Sequence, residues 1–194
     1  MFVYLEILQR ELPRGNLPNG KDLVYQSNGL LFVTSENVRQ GNLDISKPKY
    51  VQLEFNEKIK GSELQEGDLL INLVGASIGR SCLFEGYAGP ANVNQAVGVV
   101  TLNEPLIAKY LVQLLQTPQG QSFLTRHIVE AARANISLKN LRELAIPVPP
   151  LDILRCFSTI IESAEYQKAL FNSYIVEMDT LFASLQSQAF SGAL

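Results

Sequence analysis

Residues 151–188, LDILRCFSTIIESAEYQKALFNSYIVEMDTLFASLQSQ, contain neither proline nor glycine. Within them Leu154, Phe157, Ile161, Ala164, Lys168, Phe171, Ile175, Met178, Phe182 and Leu185 advance by alternating steps of three and four, and nine of these ten positions are apolar. That spacing is the heptad seam of a coiled-coil strand. It predicts one uninterrupted helix from about Leu151 to Gln188, roughly 57 Å long at 1.5 Å per residue. Such a helix cannot bury its seam alone, so a second helix is expected along it. Ile160, Leu170, Tyr174 and Leu181 lie off the seam and widen the apolar stripe, which predicts further protein surface against it. Lys168 is unfavourable in a sealed interface and marks register or a solvated gap.

Residues 1–150 differ in kind, because they hold all nine prolines and twelve of the thirteen glycines. Short apolar runs between these residues are the signature of strands and turns with occasional helices. Four core strands are expected: Leu30 to Thr34, Tyr50 to Phe55, Leu69 to Val74 and Ala96 to Leu102. From Pro105 to Arg133 the apolar residues Ile107, Leu111, Leu114, Leu115, Phe123 and Ile128 recur at helical spacing. The Thr117-Pro118 break divides them into two helices, with Thr117 as N-cap and Pro118 as the first residue of the second. Asn135 to Leu144 reads as a short linker, and Ile146 to Pro150 as a stiff extended strut, since proline fixes φ. The fold class is α+β: a domain of mixed β-sheet and a few helices over 1–150, then one long coiled-coil helix over 151–194.

Charged residues make up 18% of the chain and the net charge is −3, so a polyanion would have to be met by local patches or with a partner's help. Cys82 and Cys156 lie 74 positions apart without zinc-ligand spacing, and both read as reduced, partly buried thiols. Met1 to Leu12 has no secretory-signal pattern. The longest charge-free run, Gly86 to Asn103, carries Pro90 and several amides, so no membrane span is expected and the cytoplasm is the expected location. Gly75 to Gly79 lacks the lysine of a phosphate-binding loop. No Asp or Glu is followed two places later by Lys, and the Asn/Asp-Pro-Pro-Tyr/Phe tetrapeptide of base methylation is missing. His127 has no carboxylate or cysteine near it other than Glu130, and a surface or half-buried role is expected for it. A non-catalytic chain without metal or cofactor is the expectation.

Three motifs together resemble one half of the specificity subunit of type I restriction-modification enzymes. The first runs from Gly67-Asp68 through Leu69-Leu70-Ile71-Asn72 to Gly75-Ala76-Ser77-Ile78-Gly79-Arg80. The second is Asn135-Ile136-Ser137-Leu138 with Ile146-Pro147-Val148-Pro149-Pro150-Leu151. The third is Gln188-Ala189-Phe190-Ser191-Gly192-Ala193-Leu194. Where the family has a Glu-Gln pair after the prolines, this chain has Ile153-Leu154. Where the family has two recognition domains and two spacer helices, one of each is found here. The resemblance implies a chain that chooses a DNA site while separate modification and restriction subunits supply the chemistry, docking on the helix and the recognition domain.

Reading bases requires hydrogen-bond forks on loops at strand ends. Candidate DNA contacts are Thr34, Ser35, Asn37 and Arg39; Ser77 and Arg80; Asn92, Asn94 and Gln95. Arg133, Lys139 and Arg142 are candidates for phosphates, because residues 126–142 hold four basic residues against one acidic, Glu130. Candidate partner contacts on the helix are Leu154, Phe157, Ile161, Phe171, Ile175, Met178, Phe182 and Leu185. With one half per chain, a homodimer would read a palindromic split sequence, the helix length setting the gap. The alternative is a half-subunit that acts as an interaction protein, modulating another specificity or modification subunit through its helix.

Overall fold

A computed structural model of the chain describes residues 2–4, 24–54, 63–125, 135–137, 139, 141 and 144–191. The chain divides into two compact units, residues 1–150 and 151–194. The elements of the first are β1 (Phe2–Tyr4), β2 (Leu30–Val33), β3 (Tyr50–Val51), β4 (Leu69–Asn72), β5 (Ser81–Leu83), β6 (Ala91–Val93), β7 (Val97–Val100), α1 (Pro105–Leu114), α2 (Pro118–Thr125) and β8 (Ala145–Pro147). The second unit is α3 (Leu151–Ser191).

Two three-stranded sheets form the heart of the first unit, ordered β3-β2-β6 and β5-β4-β7. In the first sheet β2 lies antiparallel to β3 and parallel to β6. In the second both pairings of β4 are antiparallel, with Leu70 opposite Cys82 on one side and Val99 on the other. All four residues of β2 and all four of β4 are buried. The reason is layering. Leu70, Cys82, Val97 and Val99 pack with Leu31, Val33 and Val93 of the facing sheet. From the opposite face of β4, Leu69 and Ile71 pack with Leu111, Val112, Leu115 and Leu124 of the helical layer. A strand covered on both faces reads as a continuous apolar run rather than an alternation, which is what Leu69-Leu70-Ile71 shows.

The strand expected over Tyr50 to Phe55 ends at Val51, and Leu53 is exposed. Its partner β2 starts at Leu30, opposite Val51, and the chain turns away at Gly29 with φ +130°, leaving no strand for Gln52 onward to pair with. Phe55 lies outside the described residues. Strands β5 and β6 were not expected. Each has three residues, too few for a period, and each buries a polar residue, Ser81 and Asn92.

The helical layer follows the expected break. Glu104 caps α1, its Oε1 accepting from the Leu106 N–H at 3.3 Å, with Pro105 in the first turn. Thr117 caps α2, its Oγ1 accepting from the Gly120 N–H at 3.0 Å. A side chain at Gly120 would strike the Leu114 carbonyl, so the tight α1–α2 junction requires glycine. Ile128 and His127 lie outside the described residues. The stretch read as a linker is instead part of the core: the Ile136 N–H donates to the Leu73 carbonyl at 2.9 Å, and Ile136, Leu141 and Leu144 are buried. The start of the strut is strand β8, antiparallel to β1, with Phe2 opposite Pro147. Cys82 is buried and Cys156 exposed, where both had been expected partly buried.

Helix α3 runs unbroken for 41 residues, about 60 Å at 1.5 Å per residue. Leu154 is buried, Phe157 and Ile161 are half-buried, and from Phe171 to Leu185 the seam is exposed. Among the described residues no helix is long and apolar enough to cross a membrane.

Candidate functional site

Loops converge at one end of the first unit. Beyond Val33 the chain makes a turn that Asn37 organises: its Oδ1 accepts from the Thr34 N–H at 2.9 Å and from the Thr34 hydroxyl at 3.0 Å, while its Nδ2 donates to the Asp44 carbonyl. A bridge between Val38 and Leu43 and a hydrogen bond from the Arg39 N–H to the Asn42 carbonyl fold residues 38–43 into a small hairpin. Gly41 supplies the positive φ at its tip, where an added side chain would also have to displace the Gln116 amide. Beyond Asn72 a 3₁₀ turn, Gly75–Ser77, leads through Gly79 to Arg80 and into β5. Beyond Val93 the Asn94 N–H donates to the Val33 carbonyl at 2.9 Å, and the Leu73 N–H to the Ala96 carbonyl at 2.8 Å. The loop 94–96 is thereby fixed between the other two.

Asn72 ties the turns together. It is fully buried, and its Nδ2 donates to the Ser35 carbonyl at 2.9 Å and to the Ser77 hydroxyl at 3.0 Å. On the far side, Gln40 Nε2 donates to the Leu115 carbonyl at 2.7 Å, and Gln121 Nε2 donates to the carbonyls of Gly79, at 3.0 Å, and Leu115. None of these three amides was singled out from sequence. The only signal for Asn72 is an amide ending an apolar run just before a glycine-rich turn.

The candidate DNA contacts separate by exposure. Thr34 and Asn37 are buried and spend their polar atoms on their own turn. Asn92 is fully buried within β6, not in a loop, and its Oδ1 accepts from the Val93 N–H. Burial takes these three away from any base edge and gives them a scaffolding part. Ser35, Ser77 and Asn94 are half-buried, and Asn94 Oδ1 accepts from the Ala96 N–H at 3.1 Å. Arg39, Arg80, Gln95 and Lys139 are exposed. Arg133 and Arg142 lie outside the described residues.

Charge pairing separates them further. Arg39 sits 3.6 Å from Asp44, whose carboxyl is held below its ordinary pKa mainly by the Ser46 hydroxyl and N–H, with a smaller pull from Arg39. Lys49 pairs with Glu36 at 2.6 Å, and that hydrogen bond lowers the Glu36 pKa. The Arg80 guanidinium and the Gln95 amide meet no partner among the described residues. An uncommitted guanidinium and an uncommitted amide beside rigid turns are suited to bidentate hydrogen bonding of planar acceptors. Among the described residues no group of His, Cys, Asp and Glu could hold a metal ion.

Residues 16–172 match the family described as Type I restriction modification DNA specificity domain. The chain belongs to that family. It is also 24% identical over 191 residues to the type I restriction enzyme EcoBI specificity subunit of Escherichia coli, covering 96% of this chain and 39% of that protein. This specificity-domain chain thus spans about two fifths of that relative's length. In three dimensions it is similar, with a TM-score of 0.59 and 16% identity, to a chain solved in work on complex assembly and conformational transition of the type I R-M system, over 95% of this chain and 43% of that one. A second similarity is to the HsdS subunit from Thermoanaerobacter tengcongensis, with a TM-score of 0.47 and 16% identity, over 78% and 34% of the two chains. The α+β fold with a long C-terminal helix expected of a specificity domain is the fold observed.

Proposed function

We propose that this specificity domain reads one DNA half-site through the loop face that carries Arg39, Arg80 and Gln95, with Lys139 as a further candidate contact, and that α3 is its spacer and pairing helix. The observation that carries the reading is that Arg80 and Gln95 are exposed and meet no side-chain partner among the described residues, on turns that the interior holds in place. Arginine forks match guanine and glutamine amides match adenine in the major groove. Ser35, Ser77 and Asn94 line the same face as lesser contributors. The chain itself performs no catalysis in this reading. Modification and restriction subunits, recruited to the helix and the recognition domain, supply methyl transfer and cleavage, as the resemblance to the EcoBI subunit suggests.

The exposed seam from Phe171 to Leu185 is open to self-pairing, by which two chains would read a palindromic split site. It equally serves the second reading, an interaction protein that modulates another specificity or modification subunit without reading DNA. Selection from a random duplex pool, with the chain joined to a modification subunit, separates the two. Site reading yields an enriched split motif. Arg80→Ala then relaxes one position of that motif by about tenfold, within the 1–3 kcal/mol of a bidentate base contact, while weak non-specific binding persists. Complex formation without any enriched motif supports the interaction protein and removes the reading role.

A further inference from the structure

We propose that Gln40, Asn72 and Gln121 are positioning residues that close a ring of side-chain amides around the loop face, so that the three loops they join open or hold as one unit. The ring follows from which loop each amide joins. Asn72 bonds the 34–38 turn at Ser35 to the 3₁₀ turn at Ser77. Gln121 bonds the end of that second turn, at Gly79, to the α1–α2 junction at Leu115. Gln40, in the hairpin that continues the first turn, bonds the same Leu115 carbonyl and closes the circuit. The first two loops are each held at two points, and the junction at the Leu115 carbonyl, which accepts both glutamine amides.

Gly79 has φ +81° and abuts the Gln121 amide, and Gly41 has φ +78° and abuts Gln116. The exposed Arg39 and Arg80 are each adjacent in sequence to a ring contact, at Gln40 and Gly79. All three links are neutral, so salt that screens phosphate contacts leaves them in place. Hydrogen bonds in a closed network couple, and losing one link loosens the others. Under the site-reading proposal on which this inference builds, the ring sets sequence preference more than affinity.

Gln40→Met and Gln121→Met remove one link each while keeping side-chain bulk. Native-state hydrogen exchange on the full chain is the primary readout. Gln40→Met is expected to speed exchange at the Ile78 and Arg80 amides about fivefold, although Gln40 does not touch that turn. The double variant is expected to add little beyond either single one, because either substitution already opens the ring. Glu36→Gln, which weakens a pair outside the ring, serves as the control and should leave those amides unchanged. Faster exchange confined to the substituted loop, or additive effects in the double variant, overturns the ring. Both outcomes are read without DNA. If the unsubstituted chain enriches no motif while exchange couples as expected, the ring stands and the site-reading proposal falls.

Discussion

Asp68, the aspartate of the Gly67-Asp68 motif, is 1% exposed and holds two donors: the Gln65 N–H at 2.7 Å and the Thr101 hydroxyl at 2.6 Å. Its removal would take the acceptor from the half-buried Thr101 hydroxyl and from the Gln65 N–H, at about 0.5–1.5 kcal/mol for each hydrogen bond lost. Asp68→Ala is therefore expected to lower Tm by several degrees, measured by thermal unfolding, while Asp68→Asn, which keeps a carbonyl acceptor, loses less. Cys82 gives a pH-dependent counterpart. Burial, aided by Glu85, pushes its thiol from 9.0 up to about 12. Below about pH 9 the thiol is neutral in both folded and unfolded chains. Between 9.0 and about 12 the unfolded chain sheds a proton that the folded one keeps, so stability falls, by up to about 1.4 kcal/mol per pH unit. Urea unfolding at pH 8 and pH 10 should show the stability advantage of the unsubstituted chain over Cys82→Ala shrinking with pH. At this scale the sequence was least legible. Thr34, Asn37 and Asn92 have the side chains of base readers, and nothing local distinguishes an amide that reads from one that staples a turn. That distinction depends on Asn37 finding Asp44 and on Asn92 falling inside β6, both matters of tertiary placement.

The elements were legible in proportion to their length. Helix α3 announced itself by its heptads and by the loss of proline and glycine, and α1 and α2 by a proline at each start. β2, β4 and β7 stood out as apolar runs, while β5 and β6, at three residues each, carry too little pattern to register. β3 was overextended because Tyr50 to Phe55 alternates whether or not a neighbouring strand is there to meet it. The seam of α3 yields a direct test of self-pairing. Phe171, Ile175, Met178 and Phe182 are each more than half exposed in the single chain. Ile175→Glu with Phe182→Glu places two charges on that edge, where a paired helix would have to desolvate them. Light scattering is expected to show a dimer for the unsubstituted chain and a monomer for this variant, with unchanged unfolding of the first unit. A monomer in both cases removes self-pairing.

For the whole molecule, the division at residues 150 and 151 places every loop of the candidate face in one unit and the exposed seam in the other. Under the proposed function, with two such chains paired antiparallel, rod length would convert into the distance between half-sites. Inserting one further heptad after Phe171 keeps the seam in phase and adds about 10 Å, near three base-pair rises at 3.4 Å each. Motif selection is expected to return the same two half-sites with about three more base pairs between them. An unchanged gap would show that the rod is not the ruler.

The order of the two units along the chain also matters during synthesis. The loop-bearing unit leaves the ribosome before the long helix, and compact units generally fold as units in the order they are synthesised. Its turns are stapled from within, by Asn72 and its neighbours, so they need no template from whatever later settles on the helix. Companions choosing one another through the rod would therefore combine recognition surfaces already set, and an exchange of companions would change which surfaces are combined without refolding either.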